Sequence, residues 1–212
     1  MQKYSTIDRI IMGGIVLFYV VGAFILAKPE MRVIYAGLTP LVLLLSMLFL
    51  TIYDRSADRL KLLLFTLIVA LTSFGVEVWG VATGYVFGSY AYGNELGMKV
   101  ANTPLLIGLN WILLVYMSGA IVNALPRNWV YSIILPSALM IGYDIVMEQV
   151  APRMNMWSWK GDIIPLQNYI VWGIIALLFH TLRYMMSITV RNRMAGLLFA
   201  VQVVFFLIIL ML

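Results

Sequence analysis

Three carboxylic acids stand inside stretches that are otherwise free of charge: Glu77, Asp144 and Glu148. A charged side chain near the centre of a membrane helix costs about 2.5–3.5 kcal/mol on insertion scales, and less toward the ends. Helix packing does not require that outlay, so function is the default reading; a structural pair with arginine or a helix-bridging hydrogen bond is the alternative. Asp144 and Glu148 are four residues apart, which places both on one helix face about 6 Å from each other. Ser137 falls two turns below them on that face. Carboxyls so close in a low dielectric cannot all ionise, so at least one keeps its proton near neutral pH. A neutral carboxylic acid in a greasy cavity is a proton donor toward an unreactive group such as an alkene.

Amides and aromatics gather at the same depth. Asn110 and Trp111 open one apolar stretch, and Asn168 and Trp172 open another. Trp157 and Trp159 either anchor the chain at the headgroup level or form a lid that stacks on a conjugated ligand. Glycines Gly84, Gly88 and Gly97 read as turn residues, since no phosphate-cradling pattern accompanies them. The other acids, Asp8, Glu30, Asp54, Asp58, Glu95 and Asp162, fall in loops or at helix ends and read as a solvated rim. His180 falls near Arg183 at the opposite end of its stretch, about 18 Å from Asn168, and reads as a packed or interfacial histidine.

The elements that position these groups must sit in a bilayer. Of the 212 residues, 63% are hydrophobic and 11% charged, and the mean hydropathy is +0.99. Soluble domains run at roughly 45–50% apolar and about 25% charged. A secreted domain, a nucleic-acid binder and a disordered tail are excluded. With no cysteine there is no disulfide frame, no iron–sulfur cluster, no thiolate haem and no cysteine nucleophile. A single histidine also removes multi-histidine metal centres, so neither a cofactor nor a metal is expected.

A spanning helix needs about 20 apolar residues. Seven stretches qualify: residues 10–27, 33–53, 60–81, 104–125, 129–150, 165–184 and 194–212. The expected fold is therefore an all-α integral membrane protein of seven transmembrane helices, one domain over residues 1–212. The first stretch has Lys3 and Arg9 ahead of it in the manner of a signal peptide. Its apolar run is too long and lacks a small-residue cleavage site, so it reads as a retained helix. Basic residues in the connections number nine on the N-terminal side and five on the other, which predicts the N-terminus in the cytoplasm and the C-terminus outside. Two long connections, residues 83–103 and 151–164, then fall together on the outer side, where loops of such length usually have a role. An internal echo links the same region: Pro104-Leu105 precedes Trp111 as Pro165-Leu166 precedes Trp172, each after a stretch with a buried acid. Duplication of a two-helix unit is one reading and coincidence the other.

Glu77, then Thr83-Gly84-Tyr85-Val86-Phe87-Gly88-Ser89-Tyr90-Ala91-Tyr92, then Leu96-Gly97 and Pro104, resembles a signature of the carotenoid biosynthesis membrane family. That family includes the CruF-type γ-carotene hydratases and the bisanhydrobacterioruberin hydratases. Its second half is matched by Tyr143-Asp144 with Glu148, Trp157-Ser158-Trp159, and Pro165-Leu166-Gln167-Asn168 with Trp172. The resemblance covers about residues 73–172; the first, second and seventh stretches match only in hydrophobicity. One departure is Gln149-Val150-Ala151-Pro152 after Glu148, where the resemblance calls for an acid followed directly by proline.

The resemblance implies hydration, without a cofactor, of a terminal carotenoid double bond. The substrate would come from the lipid phase of a bacterial or archaeal cytoplasmic membrane. A buried acid would protonate the alkene, the charge would settle on the tertiary carbon, and water would capture it. Asp144 is then the acid, with Glu148 tuning it or orienting water, and Glu77 the reverse partner or the base for water. Asn110 and Asn168 suit water positioning, while Trp111, Trp172, Tyr90 and Tyr92 can shield the cation with their π faces. Trp157 and Trp159 complete the expected substrate-binding set.

Three rivals remain at this level. A lycopene-cyclase-type membrane enzyme begins with the same protonation, but it often carries paired acids after a Pro-hydrophobic step, where Gln167-Asn168 stands here. A proton-coupled transporter also uses intramembrane acids, though these crowd one depth instead of stringing across. A carotenoid-binding scaffold without chemistry is the third.

Overall fold

The computed structural model describes residues 4–212; Lys3, one of the basic residues that set the expected orientation, lies outside them. Helix α1 (Thr6–Ala27) starts at a capping box in which the Ser5 hydroxyl accepts from the Asp8 N–H and the Asp8 carboxylate accepts from the Ser5 N–H. This arrangement satisfies two of the free amides at a helix start. Helix α2 (Pro29–Tyr35) and α3 (Thr39–Tyr53) follow, joined by a 3₁₀ turn at Ala36–Leu38. Pro29 and Pro40 stand in the first turns of α2 and α3, where a missing N–H costs nothing. Helix α4 (Arg59–Thr83) begins at an Asp58 cap and ends at Gly84, whose φ of 70° is the left-handed conformation of a helix C-cap.

After a long connection come α5 (Leu106–Ile121), α6 (Leu135–Val150), α7 (Leu166–Met185) and α8 (Ala195–Met211). A π-helical turn at Val130–Ile134 leads into α6. Every expected apolar stretch is helical, with α2 and α3 sharing the second. Among the described residues, five helical segments are long and apolar enough to cross a membrane: Thr6–Ala27, Pro29–Tyr53, Arg59–Thr83, Leu106–Ala124 and Val130–Val150. Helix α8 is shorter at 17 residues, and the 20 residues of α7 include Gln167, Asn168, His180 and Arg183.

Helix α5 is the hub, packing against α3, α4, α6, α7 and α8. Apolar residues recur all round it, as expected of a helix with no solvent face: Trp111, Leu113, Leu114, Val115 and Met117 are all buried. On the periphery, α1, α3 and α4 turn Leu17, Phe24, Leu44, Leu48, Leu67 and Leu71 outward. Such a hydrocarbon exterior belongs in lipid, not in water.

The two long connections are not plain loops. Strand β1 (Tyr90–Tyr92) pairs antiparallel with β4 (Trp157–Trp159), in the register Tyr90↔Trp159 and Tyr92↔Trp157. A second ribbon joins β2 (Lys99–Val100) to β3 (Thr103–Pro104). The expectation of helices alone is thus corrected by two small ribbons over one end of the bundle. Gly93 follows β1 where a Cβ would collide with the Asn155 carbonyl, so only glycine lets the two connections approach this closely.

The solvated-rim reading fails for Asp8. Its side chain is buried, and its carboxylate lies 2.7 Å from the Arg193 guanidinium, because the start of α1 docks on the segment leading into α8. Asp54 likewise is half-buried and accepts from the Tyr116 hydroxyl at 2.7 Å.

Candidate active site

Strand alternation explains how the ribbon serves the bundle. Residues two apart share a face, so Tyr90 and Tyr92 point inward with Trp157 and Trp159, while Ala91 and Ser158 are exposed. The phenols and indoles therefore reach down onto the carboxyls of α4 and α6.

Glu77 is buried and lies six residues before the end of α4. Its Oε2 accepts from the Tyr90 hydroxyl at 2.6 Å and the Tyr92 hydroxyl at 2.7 Å. Its Oε1 accepts from the Trp111 indole at 3.1 Å. Burial first, and then the Glu77 carboxylate, push both phenols above the usual tyrosine range, so they remain donors. Glu148 is served in the same way: its Oε2 accepts from Trp157 at 3.0 Å and Trp159 at 2.7 Å, and its Oε1 from the Asn168 amide at 3.1 Å. Three donors on a carboxyl are the complement of its ionised form.

Asp144 is treated differently. It is fully buried, its Oδ2 receives only a long bond of 3.4 Å from the same Asn168 amide, and its Oδ1 has no hydrogen-bond partner. Among the described residues it is the one buried side-chain polar atom left without a partner. Burying such an atom without a partner is costly.

Between Glu77 and Glu148 lies a cavity of about 20 Å³, walled by the aromatic ribbon, Asn168, Trp172, Phe87 and Ile107. That is room for about one water molecule. A much larger apolar space of about 580 Å³ lies between α1, α3 and the bundle, and Ile107 and Trp157 wall both. The large groove also touches Asn110, Tyr143 and Met147.

The sequence candidates thus divide. Glu77, Glu148, Asn168, Trp172, Tyr90, Tyr92, Trp157 and Trp159 surround the small cavity. Trp111 binds Glu77 and stacks on Trp172. Asn110 faces the apolar groove instead of the carboxyls. Trp157 and Trp159 are buried with their N–H groups on Glu148, which is not the setting of headgroup anchors. Ser137 spends its hydroxyl on the Ile133 carbonyl, away from the site. His180 is buried, hydrogen-bonded to Ser118 and Arg183. Phe87 and Ile107 carry no reactive group, so composition and spacing could not single them out. Gln167, an amide where the cyclase pattern carries an acid, donates its side-chain N–H groups to the Tyr85 and Val86 carbonyls and fastens the first connection to α7.

A bundle with an apolar exterior, carboxyls sequestered under an aromatic ribbon and a large apolar groove beside them is the architecture of a membrane protein. The chain belongs to the carotenoid biosynthesis protein family, which matches it over residues 37–212. This match runs well beyond the expected 73–172 and takes in α3 and α8. The chain is also similar to bisanhydrobacterioruberin hydratase of Haloarcula japonica, with 28% identity over 165 residues, 73% of this chain and 49% of the relative. It therefore spans about half the length of that curated relative. No solved structure matches it.

Proposed function

We propose that the protein is a cofactor-independent carotenoid hydratase, a hydro-lyase that adds water across the terminal double bond of an acyclic carotenoid end. The observation that carries this reading is a water-sized cavity between two carboxyls that is separated from a large apolar groove only by Ile107 and Trp157, which wall both. Membership of the family and the similarity to a named hydratase support the same reading.

Asp144, which lines neither cavity but shares the Asn168 amide with Glu148 at the cavity wall, is the proton donor in this proposal, because its Oδ1 is the one buried carboxyl oxygen among the described residues without a hydrogen-bond partner. Its proton passes to the terminal CH carbon of the alkene, and the positive charge settles on the tertiary carbon. Water held between Glu77 and Glu148 attacks that carbon, and the surplus proton passes to a carboxylate, from which Asp144 is recharged. The stacked Trp111 and Trp172 and the ribbon aromatics offer π faces to the cation. Asn168, bonded to both acids of α6, fixes their relative orientation.

The substrate enters from lipid, and the seven helical rods lie in a cytoplasmic membrane with the N-terminus inside and the C-terminus outside. Turnover of an acyclic carotene in heavy-oxygen water tests the reaction. The product gains one water carrying the label. Label drawn from O₂ would defeat the hydratase reading, and a product of unchanged mass would favour cyclisation.

A further inference from the structure

Two apolar chambers adjoin along α1, and the residues common to their walls form a waist between them. The first, of about 580 Å³, shares the Ile107 and Trp157 wall with the small cavity; the second, of about 330 Å³, continues along α1 to Ile11 and Leu198. Gly14, Phe18 and Tyr19 of α1 and Val42 of α3 wall both chambers. At the waist the Tyr19 hydroxyl lies 2.8 Å from Ser46 Oγ. Ser46 gives its hydrogen to the Val42 carbonyl at 2.8 Å, so Tyr19 is the donor between them. Tyr19 in turn accepts from Gln202 at 3.2 Å, and the Gln202 carbonyl accepts from Tyr143 at 3.2 Å. Each hydroxyl hydrogen in this row is spent on the protein. The row braces the waist and leaves no hydroxyl donor for a ligand.

Gly14 sits on the wall of this braced waist, and a Cβ built there meets nothing within 4 Å. Its neighbour Gly13 is equally uncrowded but lines neither chamber. Leu26 borders the first chamber and Ile11 the second. Fifteen residues of helix separate them, a track of about 22 Å. No charged side chain lines it.

We infer that Gly14 is a specificity-determining residue that sets the length of ligand the groove accepts. Its bare backbone lets an extended acyclic polyene pass from the first chamber into the second, along α1, with the reacting end at Ile107 and Trp157. The identity of the ligand rests on the function proposed above; the role of the waist rests on the two chambers.

The test measures lycopene bound by the purified full chain in detergent, for the parent, Gly14→Trp, Gly14→Leu and Gly13→Trp. An indole forced into the waist weakens lycopene binding about ten-fold or more. Gly14→Leu falls between, and Gly13→Trp binds as the parent does. Val42→Trp closes the same waist from α3 and gives the same loss should Gly14→Trp not fold. Undiminished binding by the folded waist variants would overturn the inference, as would equal losses in Gly13→Trp and Gly14→Trp, or a parent chain that binds no lycopene. A parent that binds lycopene with the expected pattern of losses and adds no water would uphold the gauge while the hydratase reading falls.

Discussion

Trp111 and Trp172 stack with ring centroids 3.9 Å apart and planes 21° from parallel. They occupy equivalent places in the two halves of the internal echo, each seven residues after a proline. The pair joins α5 to α7 beneath the aromatic ribbon, and the Trp111 indole ties the stack to Glu77. Stacked aromatic pairs contribute about 0.5–1.5 kcal/mol beyond the area they bury. A double-mutant cycle of Trp111→Phe and Trp172→Phe, followed by thermal unfolding in detergent, should return a coupling of that size. Strict additivity would mean the stack carries no energy of its own.

Replacing Asp144 by Asn keeps the shape of the side chain and removes its acid. If Asp144 is the proton donor, turnover of an acyclic carotene falls about 10²–10⁴-fold, the usual worth of a positioned general acid. Carotenoid recovered with the purified protein stays at the parental level. Product formation at the parental rate would transfer the role to another carboxyl.

Tyr92→Phe takes one donor from Glu77 and leaves the ring in place. Stranding part of a buried carboxylate costs about 1–3 kcal/mol. In a Glu77→Gln background the same change costs less, because no charge is left to strand. Equal losses of thermal stability in the two backgrounds would show that the phenol acts by packing alone.

Gly93→Ala drives a methyl group into the Asn155 carbonyl. The β1–β4 ribbon must shift to admit it, at about 1–3 kcal/mol. Limited proteolysis within residues 83–103 and 151–164 should accelerate relative to the parent, and an unchanged cleavage rate would contradict the need for glycine there.

Reporter fusions address orientation. A reporter active only outside the cytoplasm should work when fused after Leu212 and when inserted after Gly161, and should stay silent after Asp58. The reverse pattern would invert the proposed topology.

The helices were legible because lipid demands them: about 20 apolar residues with internally satisfied amides are a local property of the chain. The three acids were legible for the same reason, as Glu77, Asp144 and Glu148 interrupt stretches where charge is expensive. Periodicity of 3.6 also put Asp144 and Glu148 on one face. The ribbon was not legible. Its strands are three residues each and lie 67 positions apart, counted from Tyr90 to Trp157, and their pairing is set by contact and not by propensity.

What the sequence determined by itself was the solvent of the protein, its helical rods and the acids buried within them, since each follows from the free energy of moving a short segment from water into hydrocarbon. Only the tertiary structure decided how the three carboxyls differ. Glu77 and Glu148 draw donors from segments remote in the chain, whereas Asp144 keeps one oxygen bare, and hydrogen bonds between distant residues depend on distances that sequence spacing does not encode.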